Sequence, residues 1–351
     1  MTSNHWSGRL YQEDATLGDI GFGVILINMG TPTAPTPRAV RRYLAQFLTD
    51  RRVVDLPPAL WWPLLYGIIL NTRPRVSARL YRKIWSEGGA PLLKISQRLA
   101  GVLEDALRAE CGRRCHVRLG MRYGEPSVPR AIEQARDLGC ERLLILPLYP
   151  QYSTATTASA FDEVERAMRR PGGRMPLRLV THYHDEPAYI EALAERAREV
   201  WAREGPPEHL LISLHGLPVR LIEAGDPYRD HCEQTARWLA GALALNRSQW
   251  TLCYQSKFGP GRWLGPSTER ELQRLGKKGV RSLDVICPGF ATDGLETMEE
   301  INHTGREIFR RAGGGRFRYI PALNERPGHV RALKRIVLNN LAGWVDIDGR
   351  R

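Results

Sequence analysis

Three carboxylates stand at helical spacing near residue 296, in a chain whose formal net charge is +13. Asp293, Glu296 and Glu300 follow a buried-strand pattern at 283–286, and their spacing of i, i+3 and i+7 predicts one face of a helix. Thr292 or Asp293 is a plausible N-cap for that helix. Carboxylates in such a row can bind a metal ion or accept protons, but a solvated helix face favoured by the helix dipole is an equally good interpretation.

A histidine at the end of another predicted strand is the second candidate. His215 lies in the motif Ser213-Leu-His-Gly-Leu-Pro218, where Gly-Leu-Pro predicts a tight turn that holds the ring at the edge of a sheet. A neutral imidazole, whose unperturbed pKa is about 6.5, can accept a proton or bind a borderline metal. A lone histidine at a strand end is more often structural, so its chemistry depends on what the fold places opposite it.

The elements that must position these residues alternate regularly along the chain. Amphipathic helical patterns separate most of the apolar, β-branched-rich runs, and no hairpin signals intervene. The runs lie near 22–28, 116–121, 142–148, 177–183, 209–214, 250–255, 282–287 and 316–321. This pattern predicts an α/β fold of two pseudo-repeated doubly wound lobes, each a four-stranded parallel sheet flanked by helices. Ligands bind such sheets at the carboxyl ends of the strands, where the repeat places His215 opposite the acidic helix.

The repeat also sets the expected domain boundaries. We expect an N-terminal lobe over residues 1–185, a C-terminal lobe over 186–324, and a final helix within 325–351 that packs back on the first lobe. The first two strands start about 94 residues apart (116 − 22), whereas their counterparts start about 41 apart (250 − 209). Roughly 50 extra residues therefore form an insertion near 51–100, and long insertions on such folds usually carry function.

The insertion has the composition of a segment that lies on a membrane surface. Trp61, Trp62 and Tyr66 stand among leucines and isoleucines over residues 56–70, with arginines on both flanks. Aromatic residues and flanking cations are typical of interfacial segments, so we expect both tryptophans to face outward on a mobile lip. The alternative is that the segment simply packs on its own lobe.

Composition narrows the classes of function. Lys and Arg number 51 against 38 Asp and Glu, which suits anionic ligands or surfaces, but no basic module of a nucleic-acid-binding protein is present. The absence of a phosphate loop and of a dinucleotide fingerprint argues against a nucleotide-dependent enzyme. No apolar run reaches the ~18 residues of a spanning helix. The six scattered cysteines indicate a reduced, cytoplasmic protein. The motif His182-x-His184-Asp185 could be taken for a metal site, but we interpret it as structural.

Several ordered motifs between about residues 22 and 325 resemble the ferrochelatases, most closely those of Gram-negative bacteria. They are Asn28-Met-Gly-Thr-Pro32, Gly120-Met-Arg-Tyr-Gly124, Leu146-Pro-Leu-Tyr-Pro-Gln-Tyr-Ser153, Ser213-Leu-His-Gly-Leu-Pro218, Gly225-Asp-Pro-Tyr228, Gln255-Ser-Lys-Phe-Gly259, Cys287-Pro-Gly-Phe290 and Asp293-Gly-Leu-Glu-Thr297. The resemblance implies insertion of Fe(II) into protoporphyrin IX to give protoheme, the final step of heme synthesis. It implies that His215 is proton acceptor and metal ligand, that Glu296 is metal ligand and proton exit, and that Glu300 extends the acidic path for the metal.

The resemblance also implies the residues of a porphyrin pocket. Those matching aromatic or soft walls are Met29, Tyr123, Tyr152, Trp263 and Phe290, with Arg122 beside them. Those matching propionate partners are Arg73, Arg75, Tyr81, Gln255 and Ser256. Arginine is the preferred partner because it pairs with carboxylates in a bidentate manner. The lip is then expected to lie over the porphyrin cleft.

Two departures from animal ferrochelatases bear on cofactors. Gly294 stands where animal members carry a histidine, and no cysteine follows Cys287, so we expect no iron–sulfur cluster and no other cofactor, with Fe(II) as a substrate.

We expect a monomer without a nucleic-acid partner. The alternatives are a chelatase of the same fold for coproporphyrin III or cobalt, and a non-catalytic porphyrin carrier.

Overall fold

Two four-stranded parallel sheets form the framework of the molecule. The computed structural model describes residues 21–112, 114–170, 175–259 and 261–344. The strands are β1 Gly21–Gly30, β2 Cys115–Tyr123, β3 Cys140–Pro147, β4 Leu177–Leu179, β5 His209–His215, β6 Trp250–Gln255, β7 Ser282–Ile286 and β8 Arg316–Ile320. Their order is β2-β1-β3-β4 in one sheet and β6-β5-β7-β8 in the other. The two halves thus share one topology, and the fold class predicted from the sequence is confirmed.

Helices cover both sheets. In the first half they are α1 Pro37–Leu48, α2 Pro58–Leu64, α3 Leu70–Ile84, α4 Pro91–Cys111, α5 Val128–Asp137 and α6 Ser159–Met168. In the second half they are α7 Pro187–Glu204, α8 Val219–Glu223, α9 Tyr228–Ala242, α10 Thr268–Lys277, α11 Arg306–Arg311 and α12 Pro327–Leu341. Segments Leu65–Ile69, Thr154–Ala158 and Glu296–Gly305 are π-helical, and Arg247–Gln249 is a 3-10 turn. Helix α12 packs against α7 and α4.

The central strand β1 is buried on both faces, as expected for a parallel sheet between helical layers. On one face, Val24 and Leu26 join a core that continues to Leu210 of β5 in the other sheet. On the opposite face, Ile25 and Ile27 pack under α5 and α6. Each fully buried side chain of this size stabilises the fold by about 1.5–3 kcal/mol. Because the core that contains Val24 and Leu26 also contains Leu210, it joins the two halves.

A glycine at the end of β1, and another directly after β5, touch the neighbouring strand. A Cβ on Gly30 would lie 1.8 Å from the carbonyl oxygen of the last residue of β2, and one on Gly216 would lie 2.9 Å from the corresponding oxygen of β6. Gly30 also has a φ of +106°, which glycine adopts at no steric cost. The residues before these glycines are Met29 in the first half and His215 in the second, so the two side chains occupy equivalent strand ends.

The insertion folds as α2, a π-helical turn and α3, and α3 packs on α1. Trp61 is only 6% exposed and its indole nitrogen donates to the carbonyl of Leu48 at 2.7 Å, whereas Trp62 is 55% exposed. The expectation that both tryptophans face outward is therefore wrong for Trp61. Adjacent helical residues point about 100° apart, so one ring packs with Leu65 and Leu70 while the other faces solvent.

Candidate active site

His215 is the last residue of β5, and a hydrogen bond fixes which of its ring nitrogens carries the proton. Its Nδ1 lies 2.7 Å from the Gly216 carbonyl oxygen, which can only accept, so the neutral ring carries its proton on Nδ1 and keeps a lone pair on Nε2. The Tyr228 hydroxyl donates to the His215 carbonyl at 3.0 Å, and the Phe290 ring centroid lies 6.4 Å from the imidazole. The strand end therefore presents an oriented basic nitrogen.

The acidic helix Glu296–Gly305 starts without a side-chain cap, so the expectation that Thr292 or Asp293 caps it is wrong. The Thr292 hydroxyl accepts from the amide of Asn28 at 3.0 Å. Buried Asp293 accepts from the amide of Asn324 at 2.7 Å and from a tyrosine hydroxyl of β8 at 2.6 Å. Both side chains are used to join loops, which leaves Glu296 and Glu300 as the carboxylates of the helix near His215.

Glu300 is held by the chain segment after β6. The Ser256 amide donates to one carboxylate oxygen of Glu300 at 2.7 Å, and the Ser256 hydroxyl donates to the other at 2.5 Å. The pKa of Glu300 is raised because burial disfavours its charge; the two Ser256 hydrogen bonds and the charge of His215 oppose this increase, while Glu296 adds to it. Glu300 is thus within electrostatic range of both His215 and Glu296.

These three groups do not form a tight metal cage. Their ligand atoms do not all lie within 4.8 Å of one another, whereas ligands around a common ion lie about 2.0–2.2 Å from it. The three groups therefore do not form a closed metal site.

Two residues of the insertion approach the acidic helix from the first half. The pKa of Tyr81 is raised by burial and by the charge of Glu296, which shows that α3 lies close to the acidic helix. The Lys83 ammonium contacts the Glu299 carboxylate at 2.7 Å. The pKa of Tyr43 is also raised, by burial first and then by Tyr81 and Glu296. Sequence reasoning missed Lys83 and Tyr43, because no local pattern shows contacts between residues this far apart.

Arg122 and Tyr123, both predicted to bind substrate, are joined to a buried carboxylate. Asp50 accepts from Arg122 at 2.5 Å and from the Tyr123 hydroxyl at 2.8 Å, and the guanidinium lies 4.6 Å from the Tyr123 ring centroid. Burial alone would raise the pKa of Asp50, but hydrogen bonds from Ser159, Arg52 and Tyr123, together with the charge of Arg122, lower it. The charge of Arg122 is therefore already neutralised within the protein.

Gln255, Tyr152 and Trp263 each contact residues of the second half of the molecule. Gln255 is buried, and its amide donates to the Glu296 carbonyl at 3.2 Å. The backbone amide of half-buried Tyr152 donates to Nδ1 of His231 at 3.2 Å. Half-buried Trp263 packs beside Gly216, where an added Cβ would lie 3.3 Å from the indole ring. Gln255 thus positions the acidic helix, while the two aromatic residues remain partly accessible.

Met29 and the two arginines of α3 complete the predicted set. Met29 is half-buried after Asn28, whose amide bridges Ser96 of α4 at 3.1 Å and a threonine hydroxyl of the second half at 3.0 Å. Arg73 and Arg75 are both exposed. The Arg73 guanidinium lies 5.6 Å from the ring centroid of Phe258, in the segment that follows Ser256. The insertion therefore reaches the segment that holds Glu300.

The two-lobed fold is shared with proteins of known structure. A Bacillus subtilis SirB structure with Fe3+ is similar in fold, with a TM-score of 0.55 at 12% identity over 94% of this chain and 100% of that one. Residues 21–341 match the ferrochelatase family model. Ferrochelatase of Nitrosococcus oceani is 48% identical over 93% of this chain and 89% of its own length. Ferrochelatase 1 of Shewanella oneidensis is 46% identical over 93% and 98%. The chain belongs to the ferrochelatase family, as its motifs predicted, and is an enzyme of that class.

Proposed function

We propose that His215 and Glu296 carry the reaction of the ferrochelatase family, the insertion of Fe2+ into protoporphyrin IX to give protoheme at the end of heme synthesis. The observation that carries this assignment is the lone pair left on Nε2 of His215 by the bond from Nδ1 to Gly216, within electrostatic range of the acidic helix. A non-catalytic carrier needs neither a basic nitrogen nor carboxylates beside the macrocycle.

Chelation exchanges one Fe2+ for the two protons on the inner nitrogens of the porphyrin. His215 accepts these protons one at a time at Nε2 as the iron–nitrogen bonds form, and passes each to Glu296 before it accepts the next; Glu296 also binds the arriving ion. Burial raises the pKa of Glu300, so its carboxylate is a better proton acceptor than an exposed one and can pass the protons outward. Glu300 also extends the acidic path for the hydrated metal.

We assign the porphyrin to the space beside these groups. Its walls are Met29, Tyr123, Tyr152, Trp263 and Phe290. Arg73 and Arg75 are the cations best able to pair with propionates, because both are exposed on α3. Tyr81 and Ser256 add hydroxyl groups, while Gln255 and Arg122 support the site through their buried bonds to the acidic helix and to Asp50.

The outer face of the insertion supports contact with a membrane surface. Leu60, Trp62 and Ile68 are 71%, 55% and 57% exposed, and arginines flank the segment. None of the helices in the described parts of the chain is long and apolar enough to cross a bilayer. We infer that this lip, residues 56–70, rests reversibly on the inner face of an anionic membrane, from which a sparingly soluble porphyrin can enter.

Anaerobic incubation of the purified chain with Fe2+ and either protoporphyrin IX or coproporphyrin III tests the activity directly. Metalloporphyrin absorbance should appear with protoporphyrin IX and be lost in His215→Ala. Faster turnover with coproporphyrin III, or with Co2+ in place of Fe2+, would reassign the substrate. Porphyrin binding without any metal insertion would show a carrier and refute the assignment.

A further inference from the structure

A histidine cluster lies outside the proposed active site, where the chain passes from the first sheet to the second. β4 ends at Leu179, four residues before its predicted end, and the segment 181–186 then leads to α7. His182, His184 and Asp185 each place a possible metal-ligand atom within 4.8 Å of the others. We call these three residues the linker cluster. The proposed chelation mechanism uses none of them.

The orientation of His184 is the strongest feature of the linker cluster. Its Nε2 lies 3.1 Å from the Gln234 Oε1, an oxygen that only accepts, so Nε2 carries the ring proton and Nδ1 holds a lone pair. The residue is 2% exposed, and Nδ1 has no hydrogen-bond donor. A buried acceptor without a partner is costly, so an orphaned lone pair on an otherwise fixed ring indicates a missing ligand.

The Asp185 carboxylate lies beside that lone pair. The distance from His184 Nδ1 to the nearer carboxylate oxygen of Asp185 is 3.8 Å, and metal bonds of about 2.0–2.2 Å to each atom reach a common ion across this gap. His182 is exposed and its ring centroid lies 5.1 Å from that of His184, so a side-chain rotation brings a third ligand to the ion.

Residues around the linker cluster hold the buried ring as they do in established metal sites. A metal-ligating histidine usually donates its other N–H to an acceptor, which is the part Gln234 plays here. The His231 ring stacks on His184 with centroids 3.7 Å apart and an interplanar angle of 10°. Burial disfavours the charged form of both rings and so lowers their pKa, that of His231 to about 4.

We propose that the linker cluster binds a divalent first-row transition ion of borderline softness, with His184 Nδ1, Asp185 and His182 as ligands. Two imidazoles and one carboxylate suit Zn2+ or Co2+ rather than Mg2+ or Ca2+, which prefer oxygen. Because His184 is bonded to α9 through Gln234 and Asp185 belongs to the segment between the sheets, the ion stiffens the junction of the two halves. None of these three ligands is among the residues assigned to the substrate metal.

Titration of the EDTA-treated full-length chain with Co2+, without porphyrin, tests the proposal by calorimetry and visible absorption. His182→Ala and Asp185→Asn should each lower the affinity for one equivalent of Co2+ by about tenfold or more. His215→Ala should still bind that equivalent with the wild-type affinity. Gln234→Leu should lower the affinity for this Co2+ equivalent by about 10- to 100-fold, because it removes the hydrogen bond that holds His184 Nε2. His303→Ala removes an exposed histidine elsewhere and is the matched control.

Two results would overturn the linker-cluster proposal. One is Co2+ binding by His182→Ala and Asp185→Asn that matches the wild-type chain in both stoichiometry and affinity. The other is a Co2+-soaked crystal without anomalous density beside His184 Nδ1. Both ligand variants alter partly or fully accessible side chains, so they retain the fold, and their melting curves verify this.

Discussion

Ser256 donates twice to the Glu300 carboxylate, through its amide at 2.7 Å and its hydroxyl at 2.5 Å. The serine has a φ of +62°, a left-handed conformation that costs a non-glycine residue about 1–3 kcal/mol. That strained backbone directs the amide toward the acidic helix. Because both bonds favour the charged carboxylate, Ser256 partly offsets the burial that raises the pKa of Glu300.

Ser256→Ala should move the acidic limb of the kcat/KM profile for Fe2+ to higher pH. The substitution removes a bond that lowers the pKa of Glu300, so this pKa rises further and the carboxylate stays protonated to a higher pH. Chelation rates measured anaerobically across pH test this, with the exposed Ser248→Ala as control. An acidic limb that stays in place or moves to lower pH would show that Glu300 does not act as a charged group in turnover.

His215→Ala should lower the chelation rate by at least about 10²–10⁴-fold, which is the usual contribution of a positioned acid or base, while porphyrin still binds. The aromatic walls remain, so protoporphyrin should quench intrinsic fluorescence as in the wild-type chain. His303→Ala serves as the control for loss of a histidine. Near wild-type turnover in His215→Ala would remove this residue from the mechanism.

Glu296→Gln keeps the shape of the side chain and removes its charge, so we expect a severe loss of kcat. The exposed Glu307→Gln, on α11, is the matched control and should leave kcat unchanged. Separate measurement of kcat and of KM for Fe2+ decides the role. A rise in KM alone would reduce Glu296 to a ligand that delivers the metal.

Leu60→Ser and Trp62→Ser together should lower co-sedimentation with anionic vesicles and raise the apparent porphyrin KM, with little change in melting temperature. Both side chains are exposed, so their loss removes membrane contacts but little core packing. Trp61→Ser is the internal contrast, because loss of a buried tryptophan costs about 3–5 kcal/mol of unfolding free energy. Unchanged vesicle binding in the double variant would exclude the lip as the membrane contact.

The purified chain should contain no iron–sulfur cluster. Such clusters need cysteine thiolates, and no cysteine follows Cys287 in the sequence. Burial raises the pKa of the Cys140 thiol to about 11 and that of Cys253 to about 12, so both favour the protonated form. Iron and labile-sulfide assays with a visible spectrum test this. A reproducible brown colour with stoichiometric sulfide would contradict it.

The sequence predicted the sheets because strands buried on both faces form continuous apolar runs that few other elements share. His215 could be placed at a strand end for the same reason, since the Gly-Leu-Pro turn fixes where β5 stops. Helix α10 is not evident from an apolar run, because its buried leucines stand among charged residues.

Contacts across the fold could not be predicted in the same way. Trp61 and Trp62 are adjacent residues of the same type in one apolar segment, so the sequence does not show which of them is buried. Only the packing of α2 on α1 decides this. The predicted N-cap role of Asp293 failed because Asn324 and a tyrosine of β8, both distant in sequence, compete for its carboxylate.

Met29 and His215 stand at equivalent ends of two strands that occupy the same place in sheets of the same order. One position bears a thioether that cannot titrate at any ordinary pH, and the other bears an imidazole that can. The two equivalent positions therefore differ in chemistry: in the proposed mechanism His215 exchanges protons, whereas Met29 contributes only shape and softness. Exchange of the two side chains would preserve the architecture while moving the proposed proton acceptor away from the acidic helix.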